Sequence, residues 1–232
     1  MPLRTCAPGG RRAGRWRRVA EPFVLPRAKV CGLRRAADLC AAIDAGADAV
    51  GFVFHEPSPR WLADREAQAL AGLVPPAVLA VAVFVDATPE WALARAQRCG
   101  ARAVQLCGRE RPPEWSGFPL PVLRRLPVSA EAQDEIEAWR QIARGFVLDS
   151  AQAPGGSGRP VSWELAAGLA AQARCLLAGG LDAHNVAAAV RAVRPAGVDA
   201  SSRLEARPGR KDPQRVRAFV AAALRALDEV RA

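Results

Sequence analysis

The chain predicts an α/β protein, a single-domain (β/α)8 TIM barrel, on three observations. Strand-length apolar runs alternate with helical patterns from residue 28 onward, the signature of parallel strands joined by helical crossovers. Several of these runs are apolar almost without interruption, as suits strands covered on both faces. Polar and reactive residues fall just after the strands all round the cycle, where such a barrel keeps its chemistry. A doubly wound open sheet is the competing architecture.

The elements read as follows. Ala28–Cys31 is a first short strand, and Arg35–Ala45 a helix with Ala36, Leu39, Ala42 and Ile43 at helical spacing, ended by Gly46. Ala49–Phe54 is the second strand, and Asp64–Gly72 a helix stopped by Pro75 and Pro76. Val78–Val85 is the third strand. Thr88 caps the next helix, with Pro89 at its first position and Cys99 near its end. Ala103–Leu106 is the fourth strand. Five prolines (112, 113, 119, 121, 127) then leave room for a short strand at Val122–Leu126, and Ser129 caps a helix to about Ala143. Phe146–Asp149 is the sixth strand, Val161–Gln172 a helix and Cys175–Ala178 the seventh strand. Asp182 opens a helix to Val193, Val198–Ala200 is the last strand, and Pro213–Val230 a terminal amphipathic helix.

Composition bounds what this scaffold serves. At 232 residues the chain is long enough for one large core, and no apolar run reaches the ~18–20 residues of a membrane span. The net charge of +10 is uneven: residues 1–27 carry seven arginines against the single acid Glu21, a local +6. That segment reads as a basic, disordered extension ahead of a barrel at 28–232, with neither a nucleic acid nor a membrane expected as partner. Six scattered cysteines and two histidines show no metal-ligand cadence, so no metal is expected. Reduced thiols point to a cytoplasmic protein.

In a barrel, the residues that follow each strand share one mouth. In order they are Cys31, the run Ser58-Pro59-Arg60, Asp86, Gln105 to Gly108, Asp149, Gly179-Gly180, and Asp199 to Ser202. A lone cysteine is more often core, and a lone aspartate more often a cap. The glycine signals are stronger together. Gly155-Gly156-Ser157-Gly158 after the sixth strand, Gly179-Gly180 after the seventh and Ser201-Ser202 after the eighth offer amides and hydroxyls from adjacent loops. Such convergence makes a phosphate site, with Gly156, Ser157, Gly158, Gly179, Gly180, Ser201 and Ser202 as the candidate ligands.

These motifs, taken in order, resemble the phosphoribosylanthranilate isomerase family of tryptophan biosynthesis over residues 28–225. They stand here as KVCG (29–32), GADAVGFVF (46–54), SPR (58–60), VFVDATPE (83–90), AVQLCG (103–108), LDS (148–150), GGSG (155–158), AGGL (178–181), VDASS (198–202) and PGRKDP (208–213). The resemblance implies an Amadori rearrangement of N-(5-phosphoribosyl)anthranilate to 1-(2-carboxyphenylamino)-1-deoxyribulose 5-phosphate. It implies Asp149 as general acid and Cys31 as general base, with Arg60 gripping the anthranilate carboxylate and Asp199 as a further active-site carboxylate. Lys29 shares the face of Cys31 by strand alternation and is expected to lower the thiol pKa; Gln105 joins Lys29 among the substrate-binding residues. No cofactor is required, because the substrate supplies its own electron sink. The partner is a small phosphosugar, and the chain is expected to be a monomer or homodimer.

Two positions depart from the family pattern. Cys107 stands where the fourth strand usually ends in Gln-Leu-His-Gly, and Arg203 replaces a glycine after the two serines. A side chain at a φ > 0 position beside a phosphate costs roughly 1–2 kcal/mol, although an arginine there can also contact the phosphate. A weakened or inactive phosphate-ligand-binding barrel therefore stands as the alternative. An enzyme acting on a related phosphosugar is a further reading.

Overall fold

Eight parallel strands pair in sequence order and close on themselves in the structure, a computed structural model that describes residues 23–150 and 161–231. The strands are β1 (Ala28–Cys31), β2 (Ala49–Val53), β3 (Leu79–Phe84), β4 (Ala103–Leu106), β5 (Val122–Pro127), β6 (Ala143–Asp149), β7 (Cys175–Leu177) and β8 (Gly197–Ala200). Pairing of β1 with β8, Lys29 opposite Asp199, seals the seam and excludes the open sheet. The helices α1 (Ala36–Asp44), α2 (Asp64–Ala71), α3 (Pro89–Arg98), α4 (Ala132–Trp139), α5 (Trp163–Gln172), α6 (Val186–Val193) and α7 (Pro213–Glu229) surround the barrel. No helix among the described residues is long and apolar enough to cross a membrane.

Local chemistry explains most boundaries. The Thr88 hydroxyl accepts from the Trp91 amide with Pro89 at the first helical position, and the Asp212 carboxylate accepts from the amides of Gln214 and Arg215 to start α7. Between β4 and β5 the proline-rich stretch forms a single 3-10 turn, Pro112–Trp115, as suits a run in which each proline removes a helical donor. Two expectations change. Glu131 rather than Ser129 precedes α4, which ends at Trp139, and Ala143 already belongs to β6. Asp182 folds into a side-chain turn, accepting from the amides of His184 and Asn185, so α6 starts only at Val186. The short hairpin β9 (Glu205–Arg207) and β10 (Arg210–Lys211) was not anticipated.

Strand alternation divides the core in two. One set of side chains packs between the strands and the helices, while Val53, Val81, Val83, Ala103, Leu123, Val147 and Leu176 fill the barrel interior. Leu25 joins that interior layer from ahead of β1, 4% exposed and lying where any side chain at Gly145 would collide with it. The Asp48 carboxylate accepts from the amides of Arg27 and Ala28, and the Arg27 guanidinium pairs with Asp228 at 2.5 Å. Residues 23–27, read from the sequence as part of the extension, therefore contribute a plug to the barrel floor; residues 1–22 lie outside the described chain. Leu25→Ala is expected to cost about 2–5 kcal/mol of unfolding free energy in urea. A loss below about 1 kcal/mol would show that the floor does not depend on it.

Candidate active site

The inward face of β1 ends in Lys29 and Cys31, separated by the outward-packed Val30. Lys29 is fully buried, and its ammonium donates to Asp199 Oδ2 at 2.9 Å across the seam and also to Cys31. The thiol has room because its register neighbour on β2 is Gly51, where a Cβ would stand 2.6 Å from Cys31 Sγ. Gly32 then turns the chain with φ +73°, and a Cβ there would meet Arg60 Cδ at 2.4 Å. Only glycine satisfies both the turn and that approach.

Cys31 faces a cavity of about 260 Å³ at the carboxyl end of the strands. Arg60, Gln105, Asp149, Gly179, Gly180, Asp199, Ser201 and Ser202 line the same cavity, so the structure brings these sequence candidates together. Lys29 lies beneath the cavity, reaching it through Asp199 and Cys31. Gly156, Ser157 and Gly158 fall outside the described residues. Asp86 does not join the cavity; its carboxylate accepts from the Arg109 amide at 2.6 Å and braces the loops after β3 and β4.

Charged groups around the mouth come in pairs. Arg60 donates through Nε and Nη2 to both oxygens of Glu205, at 2.8 and 2.9 Å, a bidentate fork. Lys211 donates to the same Glu205 at 2.9 Å and to the Ser201 carbonyl and hydroxyl. The Ser201 hydroxyl in turn donates to the Cys31 carbonyl at 3.0 Å. With its hydroxyl proton committed there, the Ser201 side chain has none left to donate into the cavity. Asp149 Oδ1 accepts from the Ser150 amide at 2.8 Å and Oδ2 from Arg125 Nε at 3.2 Å. Gln105 donates to Cys107 Sγ at 3.3 Å. Gln105 Oε1 and Asp199 Oδ1 are buried without a partner among the described residues, two acceptors placed to take hydroxyl protons from a ligand.

Burial sets the protonation of the site. It pushes the Cys31 thiol above its ordinary pKa, with Asp199 adding to the rise and Lys29 and Lys211 opposing it. Lys29 acts on the thiol in the expected direction, lowering it, but desolvation outweighs the cations. Burial also opposes the charge on Lys29, yet Asp199 and Cys31 hold its pKa above the usual value, so the ammonium stays charged. Burial raises Cys107 to about 12, despite the hydrogen bond from Gln105, leaving a neutral thiol.

Glu205, Lys211 and Arg125 were missed as site residues. Lys211 sits in the PGRKDP run and Glu205 follows the departing Arg203, but their pairing spans a hairpin with no strong sequence signal. Arg125 had one available signal, a charge two residues after the inward-facing Leu123 of a buried strand.

A family model described as N-(5'-phosphoribosyl)anthranilate (PRA) isomerase matches residues 28–222. The chain belongs to the phosphoribosylanthranilate isomerase family. Among its relatives is the N-(5'-phosphoribosyl)anthranilate isomerase of Myxococcus xanthus, 45% identical over 204 residues, covering 85% of this chain and 95% of that protein. The one from Pelobacter propionicus is 42% identical over 197 residues, covering 84% and 93%. Among solved structures, the Thermotoga maritima phosphoribosyl anthranilate isomerase superposes with a TM-score of 0.79 at 34% identity, covering 87% of this chain and 99% of that one. A phosphoribosyl anthranilate isomerase in complex with reduced 1-(o-carboxyphenylamino)-1-deoxyribulose 5-phosphate gives 0.77 at 32% identity, with the same coverage.

Against this isomerase family, Arg203 is less disruptive than its sequence position suggests. It lies in a 3-10 turn, Ser202–Leu204, and is not among the described non-glycine residues with positive φ, so the backbone cost does not arise. Its side chain is exposed and lines the cavity beside Ser201 and Ser202. Because only the thiolate is alkylated, the pH profile of iodoacetamide labelling at Cys31, followed by peptide mass, should have its midpoint above the ordinary thiol value of about 8.5. Full labelling rate at pH 7 would mean that Lys29 wins over burial.

Proposed function

We propose that this isomerase carries out the Amadori rearrangement of N-(5'-phosphoribosyl)anthranilate with Asp149 as acid and Cys31 as base. The observation that carries the assignment is that Cys31 and Asp149 line one cavity, with a guanidinium after β2 and the glycine and serine loops after β7 and β8 around the same mouth. Arg60 takes the anthranilate carboxylate through the edge of the guanidinium that Glu205 leaves open. The amides around Gly179, Gly180, Ser201 and Ser202, together with those of Gly156 to Gly158, take the phosphate, and Arg203 adds a charge-assisted contact to it. Gln105 and Asp199 receive the sugar hydroxyls on their open oxygens.

Asp149 gives a proton to the furanose ring oxygen as the C1–O bond breaks and the anthranilate nitrogen lone pair forms the C1=N iminium. Cys31, as thiolate, removes the C2 proton, and the C–H electron pair moves toward the iminium to give an enolamine. Transfer of a proton from O2 to C1 yields the ketose. Asp149 regains one proton and Cys31 loses one before the next turnover, so the cycle is proton-neutral. A thiol raised by burial is thiolate in only a small fraction, but that thiolate is the stronger base toward carbon. Because the thiol must be ionised while Asp149 still holds its proton, kcat is expected to pass through a maximum with pH rather than to rise throughout.

The substrate is the partner this site needs, and a cytoplasmic monomer or homodimer suits a reduced, five-thiol described chain. The test is complementation of a tryptophan auxotroph lacking the isomerase, paired with purified kinetics. Wild type should support growth, while Cys31→Ser and Asp149→Asn should each lose roughly 10²–10⁴-fold in kcat. Growth failure by soluble wild type would return weight to a binding-only barrel. Arg203→Gly should raise KM several-fold, about 1 kcal/mol or more for a charge-assisted phosphate contact; a lowered KM would make the arginine an obstruction.

A further inference from the structure

We propose that Arg125 is a positioning residue for Asp149, acting on the reaction only through that carboxylate; this rests on Asp149 serving as the acid. Arg124 and Arg125 are successive residues of β5, so alternation sends their side chains to opposite faces. Arg124 turns toward the helices, where it binds Glu110 at 2.7 Å and Glu135 on α4 and stacks over Trp139. It is a structural brace. Arg125 turns inward, above Leu123, and lines the cavity with Cys31 and Asp149.

A guanidinium with a side chain 10% exposed has given up most of its hydration, a cost that only charge-assisted contacts offset. Two of the contacts of Arg125 fall on the last residue of β6 and the residue that follows it. Nε donates to Asp149 Oδ2 at 3.2 Å and Nη2 to the Ser150 carbonyl at 2.8 Å. Arg125 pairs in register with Val147, so its side chain runs up the barrel to span the last residue of β6 and the one after it. One contact is to the side chain and one to the backbone, and the Ser150 amide holds the other carboxylate oxygen. The result fixes the rotamer of Asp149 and the direction in which the chain leaves β6. A carboxylate at a strand end, with a loop following, has no comparable restraint without it. The clamp holds the acid at a fixed place beside the cavity, the kind of placement whose loss by about 1 Å costs on the order of 100-fold.

The test is the steady-state kinetics of Arg125→Ala, Arg125→Lys, Asp149→Asn and the Asp149→Asn/Arg125→Ala double variant. Arg125→Ala should lower kcat roughly 10- to 100-fold with KM changed by less than about threefold. Arg125→Lys should recover part of the loss, and added guanidinium at non-denaturing concentration should rescue Arg125→Ala but not Asp149→Asn. In the Asp149→Asn background, removing Arg125 should change the residual kcat by less than about twofold, as coupling through one group requires. A raised KM with intact kcat would make Arg125 a substrate ligand, and an additive loss in the double variant would make it an independent contributor. Either result overturns the proposal. Wild-type kcat in Asp149→Asn would instead remove the acid assignment, whatever Arg125 does. Should Arg125→Ala not fold, Arg125→Lys and Arg125→Gln carry the same comparison.

Discussion

The buried ion pair between Lys29 and Asp199 is the interaction on which the site depends. It joins the first strand to the last, in register, at the seam where the barrel closes. Two charges without water are tolerated only when they satisfy each other, and a one-residue slip of either strand would turn its inward side chain to the outer face and part the pair. The same ammonium touches Cys31. Closure of the fold and the electrostatics of the proposed base are thus consequences of one contact.

The other ionic groups extend the same logic around the mouth. Arg60 and Lys211 share Glu205, and Arg125 holds Asp149. Each cation is restrained by an acid before any ligand arrives, which places donors at fixed points at the cost of some free charge. Ser201 links two of these groups, accepting from Lys211 and donating to the Cys31 carbonyl. The loop after β8 and the end of β1 are therefore held together by hydrogen bonds, which tie the proposed phosphate loop to the backbone of Cys31.

Burial changes the meaning of the cysteine. In solution a thiol beside an ammonium is acidified, but Cys31 lies where desolvation is the larger effect and Asp199 adds a second acidic neighbour. The thiolate is scarce and strongly basic, as the proposed proton abstraction from carbon would use.

Much of this was legible in the chain before it was folded. Nearly uninterrupted apolar runs and the capping residue Thr88 specify strands and helices locally, and strand-end placement puts Cys31, Arg60, Asp149, Gly179 and Asp199 at one mouth, where the family resemblance suggests their roles, since position along a parallel strand decides which end of the barrel a side chain reaches. What the tertiary structure decided was pairing and environment. That Arg60 is already held by Glu205, that Arg203 sits in a relaxed 3-10 turn, that Leu25 plugs the floor and that Arg125 grips Asp149 all depend on contacts between distant segments. The sign of the thiol shift belongs with them. Desolvation and ion pairing are properties of a residue's surroundings, and those surroundings exist only once the eight strands have closed.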